Sequence, residues 1–146
     1  MGVLQFNSYS CGVVSIINAL SAFEFDVPPY DEIKRLAGTT YRGGTSRNGI
    51  IRAVTDLGFV ATPYHSRIGD NVWKWIKRHA PNSSIIALVD NQTHWVCISG
   101  VIGDKVILVD GSPNKGENGV SIIGKKNTIE RMNHLGHYYS IRIDRL

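Results

Sequence analysis

The chain of 146 residues contains only two cysteines, Cys11 and Cys97. Small secreted domains that depend on disulfides use many more, so a disulfide framework is excluded and a reducing compartment, the cytoplasm, is expected. Long apolar runs are also missing, because stretches such as residues 85–89 fall far short of the roughly 20 residues that span a bilayer. The N-terminus has neither a basic segment nor a long apolar one, so we expect no membrane span and no secretory signal.

No charge of one sign dominates the sequence, which has 16 Lys and Arg against 12 Asp and Glu and a formal charge of +4. This modest excess permits an anionic partner but identifies none, and we expect no nucleic-acid partner. Internal repeats and low-complexity tracts are absent too, which excludes a repeat architecture. The length and a hydrophobic fraction of 42% predict a single compact domain over residues 1–146.

The hydrophobic periodicity changes along the chain from that of helices to that of strands. In the first half apolar residues recur at helical spacing, and in the second half short segments rich in Val and Ile are separated by turn signals. Helices are predicted over residues 11–22, 29–37, 48–57 and 70–80, strands over 84–89, 94–102, 105–109 and 137–143, and an exposed loop over 111–119. This order predicts an α+β fold in which an N-terminal helical half packs on a C-terminal antiparallel sheet.

Cys11 is predicted in the first turn of the first helix, where free N–H groups and the helix dipole favour a thiolate. A nucleophile would be placed there, although a cysteine that packs as a small hydrophobe is an equal alternative on position alone. Gly12 follows and leaves the thiol approachable. Gln5 precedes Cys11 by six residues, and its side-chain amide, with the Cys11 backbone N–H, can supply the two donors that a tetrahedral oxyanion needs.

A thiol nucleophile also needs a base, and His94 stands at the start of an apolar strand, where the sheet can hold its ring. Asp110 ends the next strand, sixteen residues later. If the turn at residues 103–104 folds these strands antiparallel, Asp110 returns beside His94 and its carboxylate can orient the imidazole. A single histidine on a strand is more often structural, but together with the thiol the pattern favours a nucleophile, an acid/base and an orienting carboxylate in one site.

These residues resemble the papain-like peptidases that process bacteriocins and other double-glycine leader peptides. The likeness extends over roughly residues 5–112 and comprises Gln5 and Cys11-Gly12 at a helix start, the segment from Gly44 to Phe59, His94-Trp95-Val96 on a strand, and Asp110. The resemblance implies that Cys11 attacks a carbonyl and that His94 shuttles the proton. It also implies that Asp110 orients His94 and that Gln5 completes the oxyanion hole. A peptide or protein substrate, hydrolysis without cofactor or metal, and a transporter or secretion partner supplied in trans follow from the same likeness.

Other functions of the same scaffold stay open. Related papain-like domains deamidate glutamine, transfer acyl groups or cut peptidoglycan, so the amide that is attacked need not be a peptide bond. A catalytically silent peptide-binding module would keep the fold without an activated thiol. The reactivity of Cys11 distinguishes that module from an enzyme.

Four further motifs are expected to be structural. Cys97 is expected in the core. Residues 73–78 mix tryptophan with basic side chains, as an amphipathic helix with one buried face would. His134 and His137 are not surrounded by cysteines or carboxylates at the spacing of a metal site. Residues 42–46 are expected to form a turn and a helix cap that line the cleft rather than a phosphate site.

Overall fold

The computed structural model describes residues 10–111 and 119–146. The helices within these residues are α1 (Cys11–Ser21), α2 (Tyr30–Ala37), α3 (Arg47–Asp56), α4 (Gly69–His79) and α5 (Lys125–Met132). The strands are β1 (Phe59–Ser66), β2 (Ser84–Val89), β3 (His94–Ile102), β4 (Lys105–Val109), β5 (Val120–Ile123) and β6 (Tyr138–Arg145). The predicted bounds of β2, β3 and β4 are confirmed, and those of α1 to α4 and β6 are met within two residues.

The six strands form one antiparallel sheet in the order β1-β6-β2-β3-β4-β5. Helices α1 to α3 cover one face, where Ile16 of α1 packs in a buried cluster with Ile86 of β2. Helices α4 and α5 cover the other face, where Ile76 and Met132 pack with Ile85. Adjacent residues of β2 therefore pack in the cores on opposite faces of the sheet, because successive side chains of a strand point to opposite faces. The predicted α+β fold is confirmed, with helices on both faces of the sheet.

Three elements are absent from the sequence prediction, and two of them, β1 and α5, depart from its division into a helical half and a sheet half. Strand β1 adds a sheet strand from the first half, and it contains Pro63, which an edge strand tolerates because its outer N–H groups need no partner in the sheet. Strand β5 is short and forms the opposite edge. Helix α5 buries only Thr128 and Met132, so its sequence carries no apolar stripe from which a helix would be predicted.

The predicted loop over residues 111–119 is described only at its ends. Gly111 and Gly119 are both buried, in contrast to the exposure expected for the loop. The Asp110 backbone N–H donates to the Gly119 carbonyl oxygen at 2.8 Å and so closes the base of the loop. Residues 112–118 lie outside the described residues.

A bulge in β3 decides the face of the sheet on which Asp110 lies. The pairing of β3 with β4 shifts at Ser99, and beyond this shift Cys97 lies opposite Val109. Residues directly opposite one another share a face of the sheet. Without the shift, Asp110 would lie opposite Cys97, on the face away from His94. The bulge moves the register by one residue and so brings Asp110 to the face of His94.

Candidate active site

Cys11 is the first residue of α1, and its free thiol is buried, with 6% exposure. The helix begins where the Val14 N–H donates to the Ser10 carbonyl oxygen at 3.0 Å. The N–H groups of the first turn have no acceptor within a helix, and together with the dipole they stabilise negative charge at this end. The predicted position of Cys11 at a helix N-terminus is therefore confirmed.

Gly12 allows α1 to approach the segment before α3. A Cβ at this position would lie 2.5 Å from the Cβ of Thr45, far inside van der Waals contact. Close packing against Thr45 therefore requires glycine at this position. The same segment is held in place by the Trp95 indole, whose Nε1–H donates to the Thr45 carbonyl oxygen at 3.0 Å.

Cys11 lines a cavity of about 220 Å³ at the end of α1. The other described residues that line it are Tyr41, Arg42, Gly43, Gly44, Thr45, Gln92, Thr93 and Trp95. A second cavity of about 600 Å³ shares Thr45, Gln92 and Trp95 with the first and adds Arg47, Leu88 and Tyr139, among others. The thiol thus lines the smaller of two adjoining cavities.

His94 and Asp110 form a hydrogen-bonded pair next to the thiol. The distance between His94 Nε2 and Asp110 Oδ1 is 2.7 Å, and the Asp110 side chain is completely buried. Cys11 lies close enough to His94 to raise the pKa of the imidazole. Asp110 binds Nε2, and Nδ1 is the other nitrogen of the ring. Cys11 of α1, His94 of β3 and Asp110 at the end of β4 are therefore brought together, as the sequence predicts.

The surroundings of His94 favour its charged form. Burial by itself lowers the pKa of His94, but the hydrogen bonds with Asp110 and Cys11 and their charges raise it to about 9. The imidazole is then protonated at neutral pH, unlike an ordinary histidine. An imidazolium in contact with a thiol stabilises the thiolate, the form of cysteine that attacks carbonyl carbon.

Arg131, on α5, contacts the Asp110 carboxylate of the site and was not predicted from the sequence. Its Nη2 lies 3.2 Å from Asp110 Oδ2 and 2.8 Å from Asp90 Oδ2. Burial lowers the pKa of Arg131, but the hydrogen bonds and charges of the two carboxylates outweigh it and raise the pKa above its usual value. No sequence signal points to this residue, because it stands on α5, a helix without an apolar stripe.

Gln5, the predicted oxyanion donor, lies outside the described residues. Its contribution stays a prediction. Of the two expected donors, the backbone N–H of Cys11 is at the helix start described above.

The match to the family model described as the peptidase C39 family covers residues 2–126. The chain belongs to the peptidase C39 family. A comparison with curated proteins finds no match. The family assignment confirms the resemblance inferred from the sequence, and this C39 protein is a cysteine peptidase.

Solved structures share the papain-like fold of this C39 peptidase. A double glycine motif protease from an AMS/PCAT transporter, solved with its leader peptide, has a TM-score of 0.73 at 17% identity, covering 97% of this chain and 90% of that chain. The peptidase domain of Streptococcus ComA, a bifunctional ABC transporter, has a TM-score of 0.72 at 17% identity over 99% of this chain and 98% of that chain. The C39-like domain of a Vibrio parahaemolyticus toxin secretion protein has a TM-score of 0.61 at 14% identity over 94% and 98% of the two chains.

The remaining motifs of the C39 chain are structural. Cys97 is fully buried, and burial raises the pKa of its thiol to about 12, as expected of a core cysteine. Helix α4 buries Val72 and Ile76, in agreement with the amphipathic helix predicted for residues 70–80. Ser46 caps α3 by accepting a hydrogen bond from the Gly49 N–H at 3.0 Å, and Gly43 and Gly44 line the thiol cavity, as predicted.

His134 and His137 pair with each other through their backbones, and the His137 ring lies 2.8 Å from the ring of His65. Among residues 10–111 and 119–146, no group of three or more His, Cys, Asp and Glu side chains is arranged to hold a metal ion. In the same part of the chain, no helix combines the length and apolar character needed to cross a membrane.

Proposed function

We propose that this C39 peptidase cleaves a peptide bond after a double glycine, with Cys11 as nucleophile and His94 as general acid and base. In the same proposal Asp110 orients His94, and Gln5 with the Cys11 backbone N–H stabilises the oxyanion. The observation that carries the proposal is the imidazole of His94, which lies 2.7 Å from the buried Asp110 carboxylate and close enough to the Cys11 thiol for that group to raise its pKa.

The first half of the reaction forms an acyl-enzyme. The Cys11 thiolate attacks the scissile carbonyl carbon, and the electron pair of the C=O bond moves onto oxygen. The oxyanion accepts hydrogen bonds from the Cys11 backbone N–H and from Gln5. As the intermediate collapses, the C–N bond breaks and His94 Nδ1–H gives its proton to the departing amine, leaving a thioester on Cys11.

The second half hydrolyses the thioester. His94, now neutral, takes a proton from water as the water oxygen attacks the thioester carbonyl. The C–S bond breaks, the carboxylic product leaves, and the thiolate and imidazolium are restored. Asp110 keeps the ring oriented throughout, because its Oδ1 holds Nε2 and leaves Nδ1 directed at the reacting atoms.

Comparison with solved structures supports glycine at the cleavage site. The solved relatives include a double glycine motif protease with a leader peptide and the peptidase domain of an ABC transporter. We therefore propose a leader peptide as substrate and a transporter or secretion partner supplied in trans, with residues 1–146 forming one peptidase domain that acts in the cytoplasm.

The test compares a synthetic leader peptide that carries Gly-Gly before the scissile bond with a peptide in which both glycines are replaced by valine. Mass spectrometry is expected to show two fragments from the first peptide only, and none with Cys11→Ala or His94→Gln. Removal of the predicted oxyanion donor in Gln5→Ala is expected to lower kcat about 100- to 1000-fold. A mass gain of one unit without cleavage would identify a deamidase instead. Binding without any chemical change, together with a slowly alkylated Cys11, would identify a silent peptide-binding module.

A further inference from the structure

The second oxygen of the Asp110 carboxylate is held by a residue of α5. Oδ1 of Asp110 binds His94, and Oδ2 lies 3.2 Å from Arg131 Nη2. The carboxylate is completely buried, whereas the Arg131 side chain is 23% exposed. A buried carboxylate bound on both oxygens cannot rotate without losing a charge-assisted hydrogen bond. The Arg131 contact therefore restricts the direction in which Asp110 presents Oδ1 to the imidazole.

Arg131 also holds the loop that leads into His94. Its Nε and Nη2 lie 3.2 and 2.8 Å from Oδ1 and Oδ2 of Asp90, a bidentate contact. In the opposite direction, the Asp90 backbone N–H donates to the Arg131 carbonyl oxygen at 2.9 Å. Asp90, Asn91 and Gln92 all have positive φ angles, of 54°, 58° and 63°, which non-glycine residues adopt rarely. Helix α5 thus fixes an unfavourable loop conformation directly before the histidine.

We propose that Arg131 is a positioning residue for the catalytic pair, acting through Asp110 on one side and through the 90–93 loop on the other. The inference rests on the proposed function, because it assigns Arg131 to the reaction of Cys11 and His94. Arg131 lies beyond residues 2–126, the part of the chain matched by the family model. It also lines neither of the two cavities of the cleft, so its effect is expected on kcat and not on KM.

The experiment measures kcat and KM with the Gly-Gly peptide, and in parallel the rate of Cys11 alkylation by iodoacetamide. Arg131→Gln is expected to lower kcat by up to about 100-fold with KM unchanged, because a misplacement near 1 Å in a catalytic group can cost that much. Arg131→Lys keeps the positive charge but loses the planar guanidinium that binds a carboxylate through two N–H groups. Its kcat is expected to lie between those of the wild type and Arg131→Gln. Asp90→Asn weakens only the contact with the loop and is expected to lower kcat less than Arg131→Gln does.

A double-mutant cycle separates positioning from a general structural effect. If Arg131 acts in part through Asp110, Arg131→Gln lowers kcat by a smaller factor in an Asp110→Asn background than in the wild type, whereas independent effects would multiply. The matched control is Arg35→Gln, which removes an arginine from an exposed ion pair with Glu32 on α2 and is expected to leave kcat unchanged. Thermal unfolding of each variant identifies any that fails to fold, and Arg131→Lys and Asp90→Asn then carry the test.

The alkylation rate keeps this inference separate from the proposed function. If the wild type cleaves the peptide and Arg131→Gln keeps its kcat, the role of Arg131 is overturned while the proposed function stands. If the wild type does not cleave, the proposed function is overturned, and the alkylation rate still tests Arg131. Cys11 is expected to be alkylated more slowly in Arg131→Gln than in the wild type, and a rate equal to that of the wild type would contradict the inference.

Discussion

The charge on His94 is expected to depend on Asp110, and Asp110→Asn tests this directly. The buried carboxylate and the thiol raise the pKa of His94 from 6.5 to about 9, although burial alone lowers it. That difference corresponds to about 3 kcal/mol in favour of the imidazolium. Asparagine keeps the size of the side chain but removes the negative charge, so only the contribution of Cys11 still opposes burial. We therefore expect the His94 imidazolium of Asp110→Asn to lose its proton well below pH 9.

The assay is a pH titration of the histidine ring protons by NMR, with the His94 signal assigned from its absence in His94→Gln. Asp104→Asn serves as the matched control, because Asp104 is exposed in the turn between β3 and β4 and its removal should leave the titration unchanged. A His94 ring that still titrates near pH 9 in Asp110→Asn would refute the assignment of its charge to Asp110.

Two further predictions concern stability. The pKa of His94 is higher in the folded protein than its ordinary value of 6.5, so its contribution to the free energy of unfolding is fully present below pH 6.5 and is lost as the pH rises through about 9. Urea unfolding at these two pH values should show this decrease in the wild type and a smaller one in His94→Gln; equal pH dependence would contradict it. Gly12→Ala places a Cβ 2.5 Å from Thr45 Cβ and should lower the free energy of unfolding by about 1 to 3 kcal/mol in urea denaturation. Gly124→Ala, where a Cβ meets nothing within 4 Å, is the control, and an equal effect of both substitutions would exclude overpacking as the cause.

Local signals account for the elements that the sequence predicts well. Strands β2 to β4 are short, rich in Val and Ile, and bounded by turn residues, so their limits follow from composition alone. The start of α3 follows from Ser46, whose side chain accepts the hydrogen bond that an N-cap residue provides. The residues that begin and end such elements lie within or next to them in the sequence, so the elements can be predicted without knowledge of tertiary contacts.

Elements that depend on their neighbours are predicted poorly. Strand β1 contains Pro63 and buries only Phe59, and it forms a strand because it pairs with the edge of β6. Helix α5 has a polar sequence and is held mainly through contacts made by a few residues, such as Met132 in the core and Arg131 at the site. Neither element has the hydrophobic periodicity from which secondary structure is read.

The sequence by itself determined the chemistry of the site: a cysteine at a helix start, a histidine opening a strand and an aspartate ending the next, since these depend on residue type and local order. Only the tertiary structure decided how they meet. Strict alternation over the hairpin of β3 and β4 would have placed Asp110 on the face of the sheet away from His94. The register shift at Ser99 places Asp110 on the same face as His94. Arg131, which binds the second oxygen of Asp110, lies on α5, after β4 and β5 in the sequence. Strand register and long-range contacts depend on packing among many residues, so they cannot be predicted from a local sequence pattern.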